Sequence, residues 1–111
     1  MPDKLFTPPY YAVIFTATRT DADPEGYEKT ADLMSELAAS MPGYLGVEST
    51  RDPETGLGIT VSYWRDLESI AAWKKQTDHT AARNQGRASW YRDYALRVAR
   101  VEREYDFKAP D

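Results

Sequence analysis

The side chains best able to do chemistry crowd into residues 59–91. That stretch holds all three tryptophans, Trp64, Trp73 and Trp90, and the only histidine, His79. His79 alone has an ordinary pKa near neutrality. It can accept a proton from a phenol, ligate an iron, or hydrogen-bond within a packed helix face. One histidine does not make a typical zinc site, and no pair of acids has metal-ligand spacing. If the chain after Asp78 is helical, His79, Ala82, Gly86 and Trp90 share one face. Small residues there either let a helix pack close or leave a cavity. Arg83 and Arg87 lie near its edge, where either can clamp a carboxylate or an enolate, or pair with surface acids. Trp73 and Trp90 suit a core as well as a ligand platform.

The elements that must position these groups read in order. Residues 1–9 carry three prolines and form an irregular arm. Tyr10 to Thr18, aromatic and β-branched, is a strand that is largely apolar on both faces. Asp23-Pro24-Glu25 caps and starts a helix with Tyr27, Ala31, Met34, Leu37, Ala38 and Met41 inward, stopped by Pro42-Gly43. Tyr44 to Arg51 and Leu57 to Arg65 form an antiparallel hairpin around the turn at residues 52–56. Asp66 caps a second helix whose inner stripe is Leu67, Ile70, Trp73 and Thr77. The pattern loosens at Gln76. Asp78 then caps a further helical segment, His79 to Tyr91, which Gly86 weakens. A final strand spans Asp93 to Asp106. Arg97, Arg100 and Arg103 interrupt it, which predicts a bulge, an exposed half or a reach toward a partner chain. The tail, 108–111, frays.

This order is β-α-β-β-α-β, the ferredoxin-like α+β plan, with two helices on one face of the sheet. The apolar second face of the first strand, with Tyr44, Val61 or Trp64 beside it, calls for a cover. A second copy, sheet on sheet about a two-fold axis, supplies the simplest one.

Composition narrows the function. A chain of 111 residues, 41% hydrophobic and 13% aromatic, suits one domain with one core. The net charge of -4 speaks against nucleic-acid or anionic-membrane surfaces. Residues 1–56 carry four basic and ten acidic side chains, residues 57–111 ten and eight, and six arginines fall between Arg83 and Arg103. There is no cysteine, hence no disulfide, thiolate metal site or cysteine nucleophile. The N-terminus lacks an apolar signal region, and no window suits a membrane span, so a cytoplasmic protein is expected. Nucleotide-binding glycine motifs, nucleophile elbows and HExxH are absent.

The segments YYAVIF, MPGYLGVESTRD, GITVSYWRDLESIAAWK, His79-x-x-Ala82-x-x-x-Gly86-Arg87, Trp90-Tyr91, Tyr94 and RVARVEREYDF resemble the antibiotic biosynthesis monooxygenase-like family over residues 10–107. The resemblance implies a homodimeric α+β barrel. It implies a monooxygenase that oxidises a small aromatic or quinone-like compound in a pocket between sheet and helices, without metal or flavin. His79 and Trp73 would then be catalytic, and Tyr63, Phe15, Arg83 and Trp90 would contact substrate. The haem-degrading branch instead uses an asparagine on the first strand, a tryptophan on the second helix and an iron-ligating histidine after it. Trp73 and His79 match the latter two, but Phe15 or Thr16 stands where the asparagine belongs. Haem is therefore the alternative cofactor. A non-catalytic dimeric protein that binds a small molecule, haem included, or a stress-related one, is the alternative function.

Overall fold

The computed structural model describes residues 6–78 and 89–110. Its elements are β1 (Tyr10–Arg19), α1 (Pro24–Ser40), β2 (Tyr44–Arg51), β3 (Leu57–Trp64), α2 (Leu67–Asp78) and β4 (Tyr91–Val101). The four strands form one antiparallel sheet in the order β2-β3-β1-β4. This is the ferredoxin-like α+β fold that the element order predicts.

Each helix start follows from its cap. Asp23 takes a left-handed φ of 46°, and its carboxylate accepts the Gly26 amide at 3.1 Å. Pro24 sits at the first helical position, where no amide hydrogen is needed. Asp66 accepts the Ser69 amide at 2.8 Å and the Ser69 hydroxyl at 2.7 Å. Those bonds, with one from Arg65, hold its carboxyl below the usual 3.8, at about 2.

Register divides the sheet into two faces. Tyr11 pairs with Trp64, Val13 with Ser62 and Phe15 with Thr60 on one side. Val13 faces Val98, and Phe15 faces Leu96, across β4. Both helices cover this side. The core joins Val13 and Trp64 of the sheet to Ala38 of α1 and Ile70 of α2, with Tyr11, Met41, Tyr44 and Trp73 around them. Trp64 has no exposed surface, and its indole donates to Ser62 Oγ at 2.9 Å. The other face carries Tyr10, Ala12 and Ile14 of β1 and Ile59, Val61 and Tyr63 of β3.

Four expectations need correction. The last strand begins at Tyr91 and ends at Val101, so it starts and stops earlier than 93–106. Tyr91 therefore belongs to β4 and not to a helical segment; residues 79–88 of that segment lie outside the described residues. Tyr44 and Trp64 pair with each other on the helix side, which leaves Val61 alone of the three on the second face. Leu67 is exposed, and Ser69 occupies the buried position in the first turn of α2 because its hydroxyl is spent on Asp66. The register is regular across Arg97 and Arg100, where β4 is largely exposed; its one shift lies at the other end, between Thr18 and Arg19, opposite residues 91–93.

Candidate functional site

Among the described residues, the helix-side face is unevenly roofed. α1 packs on β2 and α2 on β3. Along β4, Leu96 (53% exposed) and Val98 (47%) stay half open on this same side. A mostly apolar floor left open between a sheet and its helices is where small ligands bind.

Aromatic rings crowd the end of that floor where β1 finishes. Phe15 meets Tyr91 with ring centres 5.5 Å apart and Tyr94 at 5.4 Å. Tyr27 of α1 stands edge-on to Trp90 at 5.8 Å and to Tyr91 at 6.0 Å. Edge-to-face contacts of this kind add to the burial energy and fix ring orientation. Trp90 is buried; its indole donates to Asp23 at 3.4 Å, and its carbonyl accepts from the Thr20 amide at 2.9 Å. It thus ties the helix start to the sheet.

Two guanidinium groups complete the cluster. Arg19 lies 3.6 Å from the centre of the Tyr27 ring, and its Nε donates to the Trp90 carbonyl at 3.2 Å. Arg51 donates to the Tyr27 hydroxyl at 3.2 Å. Burial pushes the Tyr91 hydroxyl well above its ordinary pKa of 10, and its hydrogen bond to Tyr27 adds to the rise. The nearby charges of Arg51 and Arg19 act the other way. The cluster combines packed aromatic rings with two guanidinium groups, a cation–π contact included.

The expected site residues fall into three places. Phe15 and Trp90 belong to this one cluster, linked through Tyr91 and Tyr27. Trp73 is on the same side but toward the opposite end of β1, stacked on Trp64 with centres 6.0 Å apart and planes 24° apart. Tyr63 is on the far face, beyond the sheet from Trp73. It packs there with Phe6 (5.6 Å) and Tyr10 (5.9 Å) and donates to Glu48 at 2.6 Å. Burial, then that bond, pushes its hydroxyl up to about 12. His79 and Arg83 lie outside the described residues. Tyr63 alternates with Trp64, whose side of the sheet is the core, which puts Tyr63 on the other face. Tyr27, Tyr91, Arg19 and Arg51 were not foreseen. The signal for Arg19 lay in its spacing, four residues beyond Phe15 on the same strand face. Among the described residues, no three His, Cys, Asp or Glu side chains converge as a metal site.

The ferredoxin-like sheet with its aromatic cluster defines an α+β domain, and sequence comparison places it. A family model described as antibiotic biosynthesis monooxygenase matches residues 9–85. The Bacillus subtilis protein YqjZ, described as uncharacterized, is 50% identical over 101 residues, 91% of this chain and 87% of that protein. The chain belongs to the antibiotic biosynthesis monooxygenase family. The jasmonate monooxygenase ABM of Pyricularia oryzae is 27% identical over 92 residues, 82% of this chain but 43% of that protein. Among solved structures, SnoaB of Streptomyces nogalater, a cofactor-independent oxygenase, superposes with a TM-score of 0.73 at 12% identity, covering 87% of this chain and 97% of that one. A dimeric ferredoxin-like protein of unknown function from Thermobifida fusca superposes at 0.64 with 15% identity, over 88% and 97%. No helix among the described residues is long and apolar enough to cross a membrane.

Proposed function

We propose that this chain is a monooxygenase of small, electron-rich aromatic or quinone-like compounds, bound on the helix side of the sheet. One observation carries the reading: in a member of this family, the open floor of Leu96 and Val98 runs into the rings of Phe15, Tyr91 and Tyr94. The substrate lies flat against these groups. Deprotonated, such a compound can itself give electrons to oxygen, so the reading requires no resident metal, flavin or haem. When a ring methylene becomes a carbonyl, the carbon loses two hydrogens and gains one oxygen atom; the second oxygen atom leaves as water. Substrate supplies all four electrons. Tyr27, with Arg51 on its hydroxyl, faces the developing oxyanion. His79 is the proton acceptor on the strength of its chemistry.

The protein works as a homodimer in this reading. Leu57 and Ile59 are 47% and 42% exposed on the far face, next to Ile14 and Val61. Covering that strip with its own copy removes it from water. Oxygen uptake over a panel of hydroquinones and anthrones tests the reading. Wild type should consume oxygen, and His79→Ala should not. Binding of the panel with a flat oxygen trace would assign the alternative, a non-catalytic small-molecule carrier.

A further inference from the structure

A cleft of about 630 Å³ opens where the end of β1 meets the β2–β3 turn. Three arginines line it, Arg19, Arg51 and Arg92. Each arrives by a separate device. Thr18 pairs with Asp93 and Arg19 with Tyr91, so Arg92 is the extra residue of the β4 bulge. A bulge re-aims the side chain it carries. Arg51 lies across Gly58, where a Cβ would stand 2.6 Å from its Cζ. It donates to the Gly56 carbonyl and, at 3.2 Å, to the Tyr27 hydroxyl. Gly56 has φ 79°, and a Cβ there would stand 2.8 Å from the Arg19 carbonyl. Glycine at that position lets the turn close against β1, with the Arg19 amide bonded to the Gly56 carbonyl at 2.9 Å.

The three arginines of the cleft form no ion pair with its acids. No described carboxylate lies within ion-pairing distance of the three arginines. Asp52, also on the cleft wall, is turned to its own loop. It accepts from Thr55 Oγ at 2.9 Å and from the Glu54 amide at 3.1 Å. Arg19 and Arg51 still have donor hydrogens beyond the bonds they make, and Arg92 is exposed.

We propose that this cleft is a carboxylate site. Arg51, Arg19 and Arg92 hold the acid group of an aromatic substrate whose ring lies toward Tyr91 and Phe15. The identity of the ring rests on the monooxygenase reading; the anion site rests on the cleft. Planar guanidinium groups match a planar carboxylate in two-point contacts. Asp21, Asp52 and Glu54 on the walls leave the cleft near neutral overall, which favours a monoanion over a phosphate dianion. Tyr27 joins the two parts of the site, since it touches both arginines and both Tyr91 and Trp90.

The test is calorimetric titration of the full chain with 2-naphthoate and with its neutral carboxamide. The acid should bind about tenfold tighter than the amide. Arg51→Lys should remove most of that preference, and Arg92→Gln should lower it about threefold, as an exposed contact does. Arg92 is exposed, so its variant carries the test even if Arg51→Lys fails to fold. Equal affinity for acid and amide, binding of neither, or a preference unchanged in Arg92→Gln would overturn the site. Oxygen uptake separates this from the function. Turnover of neutral hydroquinones without a carboxylate preference removes the cleft site alone. A carboxylate preference with no turnover of any compound removes the monooxygenase reading alone.

Discussion

Replacing Ile59 with glutamate should split the proposed dimer while leaving the ligand floor intact. Burying a whole isoleucine side chain contributes ~1.5–3 kcal/mol. Ile59 is still 42% exposed, so a partner sheet would supply roughly two-fifths of that, ~0.6–1.2 kcal/mol. A two-fold interface counts it twice, giving ~1.2–2.4 kcal/mol. Glutamate forfeits this and adds the cost of drying a carboxylate, ~1 kcal/mol or more per copy even when partly wet. The sum, at least ~3–4 kcal/mol, weakens association by two to three orders of magnitude. Leu96→Glu is the control, because Leu96 is more exposed (53%) but pairs with Phe15 on the helix side. Sedimentation velocity over a concentration series reads the outcome. Ile59→Glu should shift to monomer where wild type and Leu96→Glu stay dimeric. A dimeric Ile59→Glu, or a monomeric Leu96→Glu, would refute the assignment of the faces.

Other consequences are local. Trp64→Ala should cost ~3–5 kcal/mol, as large core truncations do, because Trp64 is wholly buried and its indole bonds Ser62; urea unfolding measures it. Asp66→Asn should be less stable than wild type at neutral pH. Its folded pKa is depressed from 3.8 to about 2, so the charged form stabilises above 3.8 and the gap should close as pH falls toward 2. A gap that persists unchanged at pH 2 would show that the charge plays no part. Gly58→Ala should displace Arg51 and cost ~1–2 kcal/mol from its bonds to Gly56 and Tyr27. The same change in an Arg51→Ala background should cost little more.

Most of the scaffold was legible because its signals are local. Asp23-Pro24 and Asp66 announce helix starts through cap chemistry, and Gly56 announces a hairpin turn. The bounds of β2 match the sequence reading at both ends. The end of β4 was misread because Arg97, Arg100 and Arg103 break the alternation that would have marked it. Its early start was hidden because Tyr91 and Trp90 suit a helix as well as a strand. Face assignment needed register, which is long-range: only the pairing of Tyr11 with Trp64 shows that Tyr63 points away from the helices. The part of the site built by Arg19, Arg51 and Tyr27 was invisible for the same reason. Its three members come from β1, β2 and α1, and each alone reads as a strand-end charge or a core aromatic.

In the proposed reaction, chemistry takes place on the helix side of the sheet, over Leu96 and Phe15. Oxygen consumption with an electron-rich aromatic substrate, compared across wild type, Leu96→Glu and Tyr63→Phe, tests it most directly. Uptake is expected in wild type, with loss in Leu96→Glu and near-normal uptake in Tyr63→Phe, whose hydroxyl is on the far face bonded to Glu48. No uptake in wild type across the panel, or loss in Tyr63→Phe with Leu96→Glu unaffected, would contradict it.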